Sequence, residues 1–201
     1  MELYMKYPCA IPIKFYWARE DQLKKDNERA WTGGPCNYML DDPDRYVIFL
    51  DYDFAKFDKT REAIVNLQGK WHLGNCHIYA SVETSFHGIC YSDWVGYERM
   101  LEILKSDPYQ DPGYITISER QHHCVLRTCE KPGKPVPRFV TVIESPYQKE
   151  KPPEDYRRGE KFRLSVEALL AMPMVWVKDY PDDTLRKAFL DMRPEDAEKK
   201  Q

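Results

Sequence analysis

The chain has 201 residues, of which 42% are apolar and 31% charged, with a net charge of −3. That is enough chain for one sizeable core. No apolar run approaches the roughly 20 residues a membrane span needs, and the N-terminal MELYMKYPCAIPIKFYW lacks the charged-then-apolar layout of a signal peptide. A cytoplasmic protein without membrane association is therefore expected.

The spacing over 14–31 predicts a helix, with Phe15, Leu23 and Trp31 among charged residues and a stop at Gly33-Gly34-Pro35. DDPD at 41–44 reads as a turn into the strand YVIFLDYD at 46–53. FAKFDKTREAIVNLQ at 54–68 places Phe54, Phe57, Ile64 and Leu67 near helical spacing and ends at Gly69. Strands are predicted over 76–82 and 86–91, joined by Glu83-Thr84-Ser85. Asp93 is a candidate N-cap for a helix over 94–105. Asp107-Pro108 and Asp111-Pro112-Gly113 read as turns, 114–118 and 124–129 as a strand pair, and 139–144 as a further strand. The proline- and charge-rich stretch 145–161 reads as a long loop. Helices are predicted over 166–172 and 183–192, followed by a frayed tail. The expected class is mixed α/β (α+β), with one domain over 1–193 and a flexible tail over 194–201.

Six cysteines, Cys9, Cys36, Cys76, Cys90, Cys124 and Cys129, are scattered without a CxxC pair, which argues against a zinc knuckle and a disulfide framework. The group His122, His123, Cys124 and Cys129 could hold a metal, although core cysteines beside a polar histidine pair are the commoner situation. Charge is uneven along the chain. Residues 119–163 carry 11 basic and 7 acidic side chains, whereas residues 1–118 carry 13 and 18. Arg120, Arg127, Lys131, Lys134 and Arg138 are interleaved with apolar residues, so some are expected to line a surface facing the acidic pair Asp51 and Asp53. For 149–163 a solvated basic loop is an equal reading.

The strand YVIFLDYD ends in two carboxylates. Side chains alternate along a strand, so Asp51 and Asp53 point one way and Tyr52 the other. Two carboxylates on one side repel unless a cation lies between them, which makes a divalent metal or an acidic turn the two readings. His87 follows a tight link between strands and can donate to a phosphate oxygen, as can the hydroxyls of Ser81 and Ser85. Asp111 is a candidate third carboxylate, with its D-P-G turn as the plain alternative and Asp107 as a competing candidate. Arg127 and Lys131, in CVLRTCEK, are cations able to neutralise phosphates.

VIFLDYD (47–53), IYASVETSFHGICY (78–91), Asp111 and VLRTCEK (125–131) together resemble the archaeo-eukaryotic primase–polymerase superfamily. Its members carry an apolar strand ending in DxD, then a Ser and His between short strands, then an Asp, then a strand with an Arg and a nearby Lys. Val82-Glu83-Thr84 replace the glycines usual in the second motif, and Gly88 follows the histidine instead. The resemblance covers about 85 residues and implies a primase catalytic core with an RRM-like mixed sheet flanked by helices. It implies template-directed nucleotidyl transfer, with Asp51, Asp53 and Asp111 holding two Mg²⁺ or Mn²⁺ ions. Ser81, Ser85, His87, Arg127 and Lys131 would contact the incoming nucleoside triphosphate, and the template would be single-stranded DNA. A module of this size and charge would need a helicase or other replication factor to be processive. Two other readings stand beside it. One is a non-catalytic nucleic-acid-binding RRM-like module. The other is a phosphohydrolase of the haloacid dehalogenase type, with Asp51 as nucleophile and Asp53 as acid/base.

Overall fold

The computed structural model describes residues 2–5, 9–17, 31–53, 55–128 and 134–171. Its elements in chain order are strands β1 (Glu2–Met5), β2 (Ile11–Trp17), β3 (Trp31–Pro35), β4 (Tyr38–Met39) and β5 (Asp42–Asp53), and helix α1 (Phe57–Trp71). There follow β6 (Cys76–Val82), β7 (Ser85–Val95), α2 (Tyr97–Lys105), α3 (Pro112–Gln121), β8 (Arg138–Ile143), a 3-10 helix (Pro146–Glu150) and α4 (Pro153–Ala171). The class is thus mixed, as expected. The expected mixed sheet is corrected: every strand pairing described is antiparallel, in a three-stranded sheet ordered β1-β2-β3 and a five-stranded sheet ordered β4-β5-β7-β6-β8.

The large sheet is built on β5 and β7, buried over the apolar run Val47–Leu50 and over the whole of β7 up to Trp94, where Ser85, His87, Ser92 and Asp93 are buried polar residues. Strands covered on both faces read as continuous apolar runs, which is why YVIFL lacks simple alternation. Helix α1 packs on one face through Phe57 against Phe86, ring centroids 5.7 Å apart. On the other face α4 inserts Phe162 between Phe49, Tyr91 and Trp94, with centroids at 6.0, 6.3 and 5.6 Å. Burying each such side chain is worth about 1.5–3 kcal/mol.

Several predicted elements change. Residues 14–17 and Trp31 lie in strands, not in a helix over 14–31, and the rest of that stretch falls outside the described residues, as do the helix at 183–192 and the tail. The strand β7 runs to Val95 and Gly96 caps α2, so Asp93 is not the cap. Instead its buried carboxylate accepts from the Gly74 amide at 2.8 Å and pairs with Lys151 at 2.5 Å. Burial outweighs that lysine and raises the Asp93 pKa. The predicted strand 114–118 is helix α3, because Asp111 caps it and Pro112 occupies its first turn. The segment at 124–128 is extended against β3, through Asn37 N–H to Cys124 O, Leu126 N–H to Pro35 O and Thr128 N–H to Gly33 O. The predicted loop 145–161 holds a 3-10 helix and the first half of α4.

Cys9, Cys36, Cys76, Cys90 and Cys124 are buried. His77, on β6, is more than half buried, and that burial holds its pKa below the ordinary value. The unfolded chain therefore takes up this proton first, and stability falls as the pH drops through about 6.5. Urea midpoints at pH 7.5 and 5.5 should show this loss, and His77→Gln should flatten it. An unchanged slope in the variant would assign the effect to other groups.

Candidate functional site

The acid pair sits at the end of β5. Tyr52 is fully buried on the opposite face, where its hydroxyl donates to Asp107 Oδ2 at 2.8 Å. Burial and the Asp107 carboxylate push the Tyr52 phenol well above its ordinary range. Asp107 also accepts from the Tyr109 amide and from Gln110 Nε2, so it is committed to the Tyr52 side of the sheet. Between the two candidates for a third carboxylate, this favours Asp111. Asp107→Asn should cost about 1–2 kcal/mol in urea unfolding through the weakened Tyr52 bond.

The register sets Asp51 opposite His87 and Asp53 opposite Ser85 on adjacent strands. The Asp51 amide donates to Gln110 Oε1 at 2.9 Å, and its carbonyl accepts from the Asp111 amide at 3.0 Å. With its main-chain groups engaged there, Asp51 forms with His87 the kind of cross-strand pair in which side chains come closest. His87 Nε2 lies 3.6 Å from Asp51 Oδ1, and the two side chains are 9% and 18% exposed. Beside them, Ser85 Oγ donates to Asp53 Oδ1 at 2.6 Å. Lys134 Nζ lies 2.5 Å from the same carboxylate oxygen and 3.1 Å from Ser85 Oγ. The backbone at Lys134 is braced by Arg127, whose Nη1 donates to Lys134 O at 3.3 Å and to Pro135 O at 3.0 Å.

The same register extends across the sheet. His87 is opposite Tyr79 on β6, and Tyr79 is opposite Phe139 on β8, with those two rings 5.8 Å apart. Asp51, His87, Tyr79 and Phe139 thus form one row over four strands. The row ends in a phenylalanine that is 56% exposed.

The structure brings together Asp51, Asp53, Ser85 and His87, with the Asp111 backbone against Asp51. One oxygen of Asp111 is occupied by the Gly113 amide at 2.6 Å. Ser81 lies at the register shift between Ala80 and Val82, and its buried hydroxyl makes no hydrogen bond among the described residues. Glu83 is exposed in the β6–β7 turn. Arg127 supports the site through the backbone at 134–135, and Lys131 lies outside the described residues. Two residues of the site were not assigned from sequence. Gln110 had no signal beyond its place beside Asp111. Lys134 was visible only as one cation of the basic island.

Among the described residues the histidine–cysteine group does not converge. His122 adopts a left-handed conformation at the end of α3 and packs on Tyr97. His123 Nε2 lies 3.2 Å from Lys14 Nζ. Cys124 is fully buried beside Met100, and burial pushes its thiol up to about 11. Cys129 lies outside the described residues.

Among the described residues no three Asp, Glu, His or Cys side chains form a ready-made metal cage. The donor chemistry at Asp51 and Asp53 nevertheless suits a hard divalent ion, since both offer carboxylate oxygens from one strand face. The ammonium of Lys134 on Asp53 is itself a stand-in cation at that spot. No helix among the described residues is long and apolar enough to cross a membrane. Comparison of the chain with protein-family models, with curated proteins and with solved structures found no match.

Proposed function

We propose that the chain is a template-directed nucleotidyltransferase of the archaeo-eukaryotic primase–polymerase type. The observation that carries this reading is the cross-strand pairing of Asp51 with His87 and of Asp53 with Ser85 at one end of two adjacent buried strands. The motif residues Asp51, Asp53, Ser85 and His87 are then neighbours in space as well as in order, and Asp111 is bonded to Asp51 through its amide. The order β5-α1-β6-β7-α2, with β5 beside β7 and β6 outside it, also supports an RRM-like core. In that reading the edge beside β5 is filled by β4.

Asp51 and Asp53, with Asp111, would hold Mg²⁺ or Mn²⁺. Two such ions, when bound, supply charge neutralisation and a more acidic 3′-hydroxyl. The chain's own groups do the rest. His87 donates to a phosphate oxygen of the nucleoside triphosphate, Ser85 orients the Asp53 carboxylate, and Ser81 offers a buried hydroxyl that needs a partner. Lys134, and Lys131 beyond the described residues, supply cations for the triphosphate. The 3′-oxygen forms its bond to the α-phosphorus, and pyrophosphate leaves. The template is single-stranded DNA, and a helicase or other replication factor is the natural partner for long synthesis.

The test is incubation with Mn²⁺ or Mg²⁺, labelled nucleoside triphosphates and a single-stranded template with and without a primer. Metal-dependent phosphodiester product supports the reading. Retained DNA binding without product under any metal or nucleotide would make the chain a binding module instead.

A further inference from the structure

We propose that Lys134 is a built-in counter-ion of Asp53 that gives way to the metal and moves to the triphosphate, so that metal and nucleotide bind cooperatively. This inference rests on the nucleotidyltransferase reading above and adds a means of controlling the same site. Three observations carry it. Lys134 Nζ contacts both Asp53 Oδ1 and Ser85 Oγ, so the ammonium lies against one carboxylate of the acid pair and not on a distant surface. Lys134 and Asp53 side chains are only 20% and 19% exposed, so their attraction is less screened than in a surface pair. The Lys134 carbonyl and that of Pro135 are held by Arg127, so the backbone anchor is braced at the base of a side chain with four rotatable carbons.

A divalent ion on Asp53 would lie against the ammonium and be repelled by it. Metal alone must therefore displace Lys134 from its carboxylate, which lowers metal affinity. A triphosphate changes this balance by offering oxygens to the displaced ammonium. Each ligand then raises the affinity for the other by the same factor. Each of the two carboxylates on this strand face has a nitrogen close by, Lys134 at Asp53 and His87 at Asp51.

The experiment is a Mn²⁺ titration of the full chain in the absence of nucleotide, read from the electron paramagnetic resonance signal of free Mn²⁺. Lys134→Met should bind Mn²⁺ about tenfold more tightly than wild type, and Lys134→Arg should resemble wild type. A lysine that only contacts phosphate would leave metal affinity unchanged in Lys134→Met, and a structural lysine would weaken it. Either result overturns the proposal. A second measurement uses the wild-type protein alone. Reductive methylation read by mass spectrometry should modify Lys134 several-fold faster when Mg²⁺ is added, and more slowly again when a non-hydrolysable deoxynucleoside triphosphate is added. A Lys134 rate that Mg²⁺ leaves unchanged or lowers overturns it too. Asp53→Asn separates the two levels of the argument. If wild-type Mn²⁺ binding is lost in Asp53→Asn but not tightened in Lys134→Met, only the role of Lys134 fails. If neither wild type nor Lys134→Met binds Mn²⁺, the metal reading of the site fails and this inference fails with it.

Discussion

Asp51→Asn and Asp53→Asn should each lower primer extension by on the order of 10³-fold, the scale at which removal of a central electrostatic group slows an enzyme. Both substitutions keep side-chain shape. The strand they sit on is held independently, by the buried Tyr52 hydroxyl on Asp107 and by the Gln110 and Asp111 bonds to the Asp51 backbone. Loss of product should therefore appear without loss of fold, as judged by circular dichroism and urea midpoint. Their stabilities should differ in a telling way. Asp51→Asn removes one of two like charges from one face, whereas Asp53→Asn leaves the partly buried Lys134 ammonium without its carboxylate. Extension within threefold of wild type in both variants would rule out the acid pair as the catalytic centre.

Gly159→Ala should destabilise the fold by about 3 kcal/mol, while Gly69→Ala should stabilise it by about 0.5–1 kcal/mol. Both glycines are helical, so their intrinsic preference for alanine is similar, and surroundings alone separate them. A Cβ on Gly159 would lie 2.1 Å from the Tyr91 carbonyl oxygen, an atom of the backbone that cannot rotate aside. A Cβ on Gly69 would meet nothing within 4 Å. The crowding lies where β5 and β7 lose register between Val47 and Ile48, as partners jump from Trp94 to Cys90. The intervening stretch of β7 comes up against α4 at Gly159. Equal effects of the two substitutions in urea unfolding would mean that α4 does not pack this closely on the sheet.

The parts of the fold legible in the sequence are those whose burial leaves a clear pattern. The β5 run, the limits of β6 and the hairpin to β7 follow from apolar strands bounded by turn residues. The opposition of Tyr52 to the acid pair follows from strand alternation. Helix α3 was hidden because Asp111-Pro112-Gly113 serves equally well as a turn or as a helix cap. The deciding signal was the four-residue spacing of Tyr114 and Ser118, the two residues that α3 buries. Helix α4 was hidden by its charge and by Gly159, although Asp155, Gly159, Phe162, Val166 and Leu169 repeat at helical spacing and are all buried. The N-terminal sheet was missed because 14–17 and Trp31 share a charged stretch that mimics an amphipathic helix. In the site, Asp51, Asp53, Ser85 and His87 were legible because a register of short strands brings them together. Lys134 was legible only as one of five cations expected to face the acid pair, because it lies 81 residues from Asp53, a distance over which local patterns cannot single out one of them.

The backbone clamp on Asp51 and the side-chain pairing of Asp53 assign the two carboxylates to different times. Asp51 is linked through Gln110 to Asp107 and Tyr52 in the core, so its placement is complete once the chain has folded. Asp53 is paired with a lysine side chain, and in the exchange proposed above its partner would change on the nanosecond-to-microsecond scale of side-chain motion. One acid is thus fixed as architecture and the other, in that proposal, is exchanged as traffic. Errors at Gln110 or Tyr52 would be inherited by every molecule that folds, whereas errors at Lys134 would appear only when a ligand arrives.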